Sequence, residues 1–145
     1  MFPLQNCGSV AVIKAASVAS SATSTGVIDT LGYDEVKVVV LLDSAASTAS
    51  NPAVLKLSES DDATTYTDIT AFVGDATDGF TLPAVSATLP TVVEMNVDTR
   101  ARGRYLMLSV TPSTSGAMVL GATAVLGKAA DSTVARAEAA GSVTG

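Results

Sequence analysis

The residues best suited to do chemistry in this 145-residue chain are three carboxylates at one predicted turn: Glu59, Asp61 and Asp62. Closely spaced carboxylate oxygens are ligands that Ca²⁺ prefers, but a calcium loop normally offers more of them and a glycine at its sharp bend. Aspartate is also a common turn residue, because its side chain accepts hydrogen bonds from nearby backbone N–H groups. We therefore expect a structural turn and assign no metal site, with calcium as the open alternative.

A second group of candidates is basic. Arg100, Arg102 and Arg104 recur at every second position. If they belong to one extended segment, their side chains share a face, because successive side chains of a strand point to opposite faces. Such a row could bind an acidic patch on a partner protein. Alternatively, the arginines pair with Asp98 and Glu94 at the solvated start of a strand. We predict the three arginines as partner-binding residues and keep both interpretations open.

The sequence offers few of the side chains that catalysis commonly uses. Histidine and tryptophan are absent, which removes the most common general base and a common metal ligand. Cys7 is the single cysteine, so no intrachain disulfide can form, and no basic residue stands next to it to activate the thiol. Nothing in the sequence brings two particular carboxylates together across a cleft. We predict that the protein is not an enzyme and uses no cofactor.

Composition narrows the class of partner. The chain has 8 Lys and Arg against 14 Asp and Glu, a net charge of −6, which opposes the neutralisation of phosphates on which nucleic-acid binding depends. Charged residues make up only 15% and apolar residues 48%, so hydroxyl and methyl groups must coat the solvated faces. No apolar run approaches the ~20 residues needed to cross a bilayer. We expect protein partners, with no nucleic acid and no membrane.

The elements that must position these residues are strands. Apolar and polar residues alternate with a period near two in short windows bounded by Gly, Pro, Asp or Ser. The eight windows are 10–16, 26–30, 36–42, 54–60, 66–72, 91–98, 104–111 and 117–126, with a short edge piece at 80–83. This pattern predicts an all-β, antiparallel, jelly-roll-like β-sandwich. The most apolar windows should be central strands: 36–42, 104–111 and 117–126.

Composition also divides the chain into three predicted parts. Residues 1–25 would form an N-terminal arm and a first edge strand, and residues 26–127 the β-sandwich domain. Residues 128–145 combine alanine with charge and offer little apolar surface, so they are predicted to be a C-terminal tail.

Four segments resemble small head proteins of tailed bacteriophages. They are 27–34 (VIDTLGYD), 57–62 (LSESDD), 104–106 (RYL) and the apolar last strand, 119–127. The resemblance is to the family of capsid decoration, or cement, proteins with a β-sandwich fold. It implies a structural virion protein on the outside of the phage head that stabilises the lattice. It further implies the major capsid protein as partner, and self-association as a homotrimer.

Two other functions stay open, namely a head–tail or fibre component of the virion and a glycan-binding adhesin domain. A glycan binder needs an exposed cleft lined by Tyr or Phe with converging Asp and Asn. An enzyme needs at least two carboxylates with raised pKa in a pocket. A decoration protein needs neither, but it requires a large apolar face between subunits and an extended arm.

Overall fold

The computed structural model describes residues 7–44 and 51–128. Within them, eight strands form two four-stranded antiparallel sheets. The strands are β1 (Gly8–Val18), β2 (Ser24–Asp29), β3 (Glu35–Ser44), β4 (Pro52–Ser60), β5 (Thr67–Val73), β6 (Thr91–Asp98), β7 (Tyr105–Pro112) and β8 (Met118–Gly127). A short 3₁₀ turn, Thr99–Ala101, follows β6. The predicted all-β, antiparallel β-sandwich is confirmed.

The order of the strands is that of a jelly roll. One sheet has the order β1-β8-β3-β6 and the other β2-β7-β4-β5. Apart from the β4–β5 hairpin, each connection crosses from one sheet to the other, and the first strand pairs with the last. The strands β3, β7 and β8 are central, as their apolar windows predicted.

The core lies between the sheets and is built from alternate positions of each strand. The inward side chains of β3 are at most 2% exposed, and those of β7 are fully buried: Val36, Val38, Val40, Leu42, Leu106, Leu108 and Val110. The outward positions of β3 differ, since Leu41 is 46% exposed. Among the residues that the structure describes, β3 is therefore covered on its inner face, and its outer face stays partly exposed.

The first strand is part of the sandwich. It pairs with β8, with register shifts between Ala11 and Ile13 and between Ile13 and Ala16. It also approaches β2, because a Cβ atom at Gly26 would lie 2.0 Å from the carbonyl oxygen of Val12. Only glycine allows this approach. The division of the chain into arm, domain and tail stays a prediction, and residues 1–6 and 129–145 lie outside the described part.

The connection between β5 and β6 differs from the sequence prediction. Residues 80–83 do not form a strand; a single isolated bridge joins Gly74 to Phe80. The following loop is anchored by Val85, which is buried and donates its N–H to the side-chain oxygen of Asn51 at 2.9 Å. Pro83 explains the absence of a ladder in part, because proline has no N–H to donate.

Candidate functional site

The outer face of the β1-β8-β3-β6 sheet carries a cluster of exposed aliphatic side chains. Leu41 of β3 lies opposite Val92 of β6, and the two are 46% and 56% exposed. Val119 and Val125 extend the cluster along β8 at 39% and 36%. Val39 is half-buried on the same side of β3. We call these five residues the apolar face.

Charged side chains stand at both edges of the apolar face. At one edge, the Lys37 ammonium pairs with the Glu94 carboxylate of β6 at 3.2 Å. At the other edge, Lys14 of β1 is exposed and makes no ion pair within the described ranges. An apolar centre with a charged rim is the usual anatomy of a protein–protein interface.

A shallow depression of about 340 Å³ lies beside the apolar face, where β1 bulges away from β8. Ile13, Ala15, Leu41 and Gly121 contribute to its walls. A Cβ atom on Gly121 would come within 3.1 Å of the Cα and Cβ atoms of Ala15, so the absence of a side chain at Gly121 lets β1 and β8 approach. The depression is lined mainly by aliphatic groups and suits an apolar side chain.

The outer face of the other sheet is more polar and carries an aromatic ring. Tyr105, at the start of β7, lies between Asp29 of β2 and Ser60 of β4. The guanidinium group of Arg104 lies over its ring, 4.9 Å from the centroid, in cation–π geometry. Asp29 accepts two hydrogen bonds from Arg104, from Nε at 2.9 Å and from Nη2 at 2.7 Å. We call Asp29, Arg104 and Tyr105 the tyrosine platform.

A second carboxylate lies on the same outer face. Asp68 of β5 accepts a hydrogen bond from the Ser58 hydroxyl at 2.6 Å and pairs with Lys56 at 2.8 Å. Val27, 47% exposed, and Met107 lie in the row next to Tyr105, in register with Ser58. The face thus combines one ring, a small apolar centre and fixed hydrogen-bonding groups.

The three predicted partner-binding arginines do not lie on one extended strand. The 3₁₀ turn Thr99–Ala101 interrupts the segment, so the shared strand face that their spacing required does not form. Each arginine pairs with a different carboxylate: Arg100 with Asp98 at 2.6 Å, Arg102 with Glu59 at 3.3 Å, and Arg104 with Asp29 at 2.7 Å. The expected pairing with Asp98 is found for Arg100, whereas Glu94 pairs with Lys37 instead.

The fold nevertheless brings the three arginines together by another route. Arg100, Arg102 and Arg104 line one depression of about 330 Å³, in which Asp34 and Asp61 also take part. This surface is of mixed charge because acids stand among the guanidinium groups. The role of these arginines in binding a partner stays a prediction.

The carboxylates at the β4–β5 turn stabilise the fold. One oxygen of Asp62 accepts hydrogen bonds from the backbone N–H groups of Thr64 and Thr65, each at 2.8 Å. Glu59 accepts a hydrogen bond from the Gly103 N–H at 2.8 Å and pairs with Arg102. Within residues 7–44 and 51–128, no cluster of three or more His, Cys, Asp or Glu side chains could hold a metal ion.

Among the described residues, every carboxyl group whose pKa departs from its usual value has a lowered pKa. The affected groups are Asp29, Asp62, Asp68 and Asp98, and the pKa of Asp98 falls to about 2. The largest causes are hydrogen bonds from Arg104 to Asp29, from the Thr65 N–H to Asp62, from Lys56 to Asp68 and from Arg100 to Asp98. A carboxyl general acid requires the opposite, a raised pKa.

A depression of about 450 Å³ contains both Asn96 and Asp98, and Cys7 also lines it. No aromatic side chain belongs to its lining. It therefore lacks the ring against which a sugar would stack in the cleft expected of a glycan binder. Cys7 is half-buried and forms no disulfide. No helix in the described residues is long and apolar enough to span a membrane.

No protein-family model and no curated protein matches the chain. Solved structures do match. The CBM22-1 and GH10 modules of Clostridium thermocellum endo-1,4-beta-D-xylanase 10B, complexed with xylohexaose, align with 89% of this chain at a TM-score of 0.52 and 12% identity. This chain spans 27% of that two-module chain. The likeness shows a shared fold.

A second match is the CBM22-1 xylan-binding domain of Paenibacillus barcinonensis Xyn10C. It aligns over 84% of this chain and 94% of its own length, at 12% identity and a TM-score of 0.48.

Sequence reasoning missed the tyrosine platform. Asp29 and the Arg104–Tyr105 pair each stand in a segment that the phage resemblance singles out, but no local spacing connects them. The signal that could have joined them is the antiparallel register of β2 and β7, in which Asp29 lies opposite Tyr105. That register becomes known only from the structure.

Proposed function

We propose that this chain is a non-catalytic structural protein of a phage virion, a capsid decoration protein that works through broad protein contacts. The observation that carries the proposal is the apolar face. Its aliphatic side chains are exposed together on one sheet, with Leu41 and Val92 about half exposed. Contiguous exposed apolar surface of this kind marks a contact with another molecule, most often a protein.

Physical considerations favour this role for such a surface. A decoration protein must hold the capsid lattice together, and that task needs contact area rather than reactive groups. Burying apolar surface contributes about 25 cal/mol for each Å² removed from water. Many copies bound to one lattice also gain avidity, even when each contact is weak.

The sequence resemblance supports the same role. Segments 27–34 and 104–106 contain Asp29, Arg104 and Tyr105, which the fold brings into one ion-paired cluster. Under this proposal the partner is the major capsid protein, and the protein is located on the capsid surface of the virion. A head–tail or fibre position would use the same kind of contact at another site of the particle.

Co-sedimentation tests the proposal. Purified protein is mixed with empty head shells of a tailed phage that encodes this chain, and the shells are pelleted. Saturable co-sedimentation at a fixed number of copies per shell supports decoration. If the protein stays in the supernatant while antibody labelling of whole virions marks the tail, the protein is a tail component instead.

We also propose a second candidate, a glycan-binding module. The shared fold with a chain that contains a CBM22-1 module and was complexed with xylohexaose supports it, and the comparisons favour it over decoration. The tyrosine platform would be the site, because a tyrosine ring can stack against a sugar while carboxylates accept hydrogen bonds from the sugar hydroxyl groups. The absence of aromatic side chains from the depression at Asn96 and Asp98 weighs against a cleft there.

Calorimetric titration with xylohexaose tests this second candidate. Saturable heat that is lost in Tyr105→Ala but kept in Tyr66→Ala supports glycan binding at the platform. Tyr66 serves as the control because it is another half-buried tyrosine outside the tyrosine platform. Absence of heat with the wild-type protein at millimolar sugar, repeated across a broad glycan array, contradicts it.

A further inference from the structure

We propose that the apolar face is a self-association surface, on which the same face of a second copy of this chain packs. The inference deepens the proposed function, since it rests on the apolar face being a protein contact and names the occupant. It is carried by the size of the sheet face, by its distribution of charge and by the fit between large and small residues across it.

The area of the sheet face suits a weak pair. The central strands β3 and β8 are each 10 residues long. With a rise of ~3.3 Å per residue and a strand spacing of ~4.8 Å, four strands present a face of about 30 by 19 Å. Two such faces would together bury roughly 1,100 Å², near the lower limit of specific interfaces. A weak, concentration-dependent dimer is therefore expected.

The charges at the two edges are complementary. In the sheet order, β1 and β6 are opposite edges. Consider two copies whose β1-β8-β3-β6 sheets face each other, related by a two-fold axis that runs parallel to the strands between these facing sheets. This axis places β1 of one copy over β6 of the other. Lys14, which has no ion-pair partner among the described residues, would then face the edge that carries Glu94, whose carboxylate also pairs with Lys37 of its own copy. The symmetry repeats this attraction at both ends of the interface.

The same axis matches large residues to small ones. Leu41 of β3 is in register with Gly121 of β8 on one side and Val92 of β6 on the other. Because the axis places β3 of one copy over β8 of the other, Leu41 of each copy lies over the position of Gly121, which has no side chain and is itself buried against Ala15. Val92 correspondingly lies over the depression beside Ala15. Val92, the most exposed side chain of the apolar face, thus lies over a depression, and Leu41 packs on the backbone of β8.

A face-to-face contact of this kind is isologous and closes at two copies. It predicts a dimer, whereas the resemblance to decoration proteins implies a trimer. Each dimer would present two equivalent surfaces to the capsid, so the contact also supplies avidity.

Analytical ultracentrifugation over a range of concentrations tests the proposal. The wild-type mass is expected to rise from 14.5 kDa towards twice that value. Leu41→Asp should stay monomeric, because it buries two unpaired carboxylates in the contact. Val27→Asp is the matched control: Val27 is 47% exposed, close to the 46% of Leu41, but it lies on the other sheet. Circular dichroism confirms that both variants are folded.

A cross-link tests the geometry independently. In a Cys7→Ser background, Lys14→Cys combined with Val92→Cys should form a disulfide between two copies under oxidising conditions. The two positions lie on opposite edge strands of one sheet, so a disulfide within one copy is excluded by distance. A covalent dimer that neither single variant gives supports the two-fold arrangement, and its absence contradicts it.

The outcomes also separate this inference from the proposed function. A wild-type protein that is monomeric at every concentration overturns self-association. If that monomer binds shells and Leu41→Asp does not, the capsid is the occupant of the apolar face and decoration survives. If the dimer forms but never binds shells, self-association is supported and decoration is overturned. Equal masses for Leu41→Asp and Val27→Asp would also overturn the inference.

Discussion

Asp29 and Arg104 form a two-point ion pair across neighbouring strands although they are 75 residues apart in the sequence. Their pairing ties the end of β2 to the start of β7 and holds the guanidinium group over Tyr105. Both side chains are nearly half exposed, at 45% and 42%. Solvent screening at such a surface keeps the stabilisation small.

We predict that Arg104→Lys removes this two-point contact while keeping the charge. The hydrogen bond from Arg104 is the largest cause of the lowered pKa of Asp29, so this pKa should move back towards its usual value. The free energy of unfolding should change little, because solvent screens the pair. A carbon-detected NMR titration of the Asp29 carboxyl group measures the shift. Arg100→Lys is the control, since it should raise the pKa of Asp98 and leave that of Asp29 unchanged.

Stability should depend on pH in the acid range. The pKa values of Asp29, Asp62, Asp68 and Asp98 are lower in the folded protein than the usual 3.8. Such groups stabilise the fold fully above their unfolded pKa, and this contribution is lost as the pH falls through their folded pKa. The urea midpoint should therefore be flat from pH 7 to about 5 and decline from about pH 4 to 2. A midpoint that rises on acidification contradicts these assignments.

The β4–β5 turn should depend on Asp62 and not on calcium. In Asp62→Ala, the N–H groups of Thr64 and Thr65 lose their acceptor, so their hydrogen exchange should accelerate and the melting temperature should fall. Asp61→Ala is the control, because the Asp61 carboxylate makes no hydrogen bond within the described residues. Millimolar calcium should leave the wild-type melting temperature unchanged. A calcium-dependent increase that Asp62→Ala abolishes would establish a metal site.

The contact between β1 and β2 should be sensitive to a single methyl group. A Cβ atom in Gly26→Ala would lie 2.0 Å from the Val12 carbonyl oxygen, so β1 must move, at a cost of about 1–3 kcal/mol. Gly127→Ala is the matched control, because its Cβ would meet Glu35 atoms no closer than 3.9 Å. Urea unfolding compares the two variants. Equal stability would mean that β1 is not held against β2 and behaves as a separate arm.

The strands could be predicted from the sequence because their alternation reports directly which side chains are buried. Met95 and Val97 share one face of β6 in the sequence pattern and are buried, whereas Glu94 and Asn96 on the other face are exposed. The alternation reflects a physical constraint, since a shift of the strand register by one residue would turn all the apolar side chains towards solvent. The sequence of β3, in contrast, is apolar on both faces, and its outward residues Val39 and Leu41 form part of the apolar face.

Apart from the Arg100–Asp98 pair, the ion pairs could not be predicted, because they depend on register and on one unforeseen turn. The every-second spacing of the arginines suggested one strand face, but Asp98 accepts a hydrogen bond from the Arg100 N–H and caps the 3₁₀ turn Thr99–Ala101. Gly103, directly after the C-cap residue Arg102, is the glycine that follows the turn, and no proline marks it. Lys37 and Glu94 likewise meet only because β3 and β6 are neighbours in the sheet.

In the assembled state, we expect protein to cover the apolar face. Carbene footprinting with mass spectrometry measures this directly, by comparing the labelling of Leu41 and Val92 with that of Val27 on the other sheet. We expect Leu41 and Val92 to be labelled in dilute protein and protected both in concentrated protein and on pelleted shells. Val27 should stay labelled under all three conditions. Unchanged labelling of Leu41 and Val92 under all three conditions would contradict this expectation.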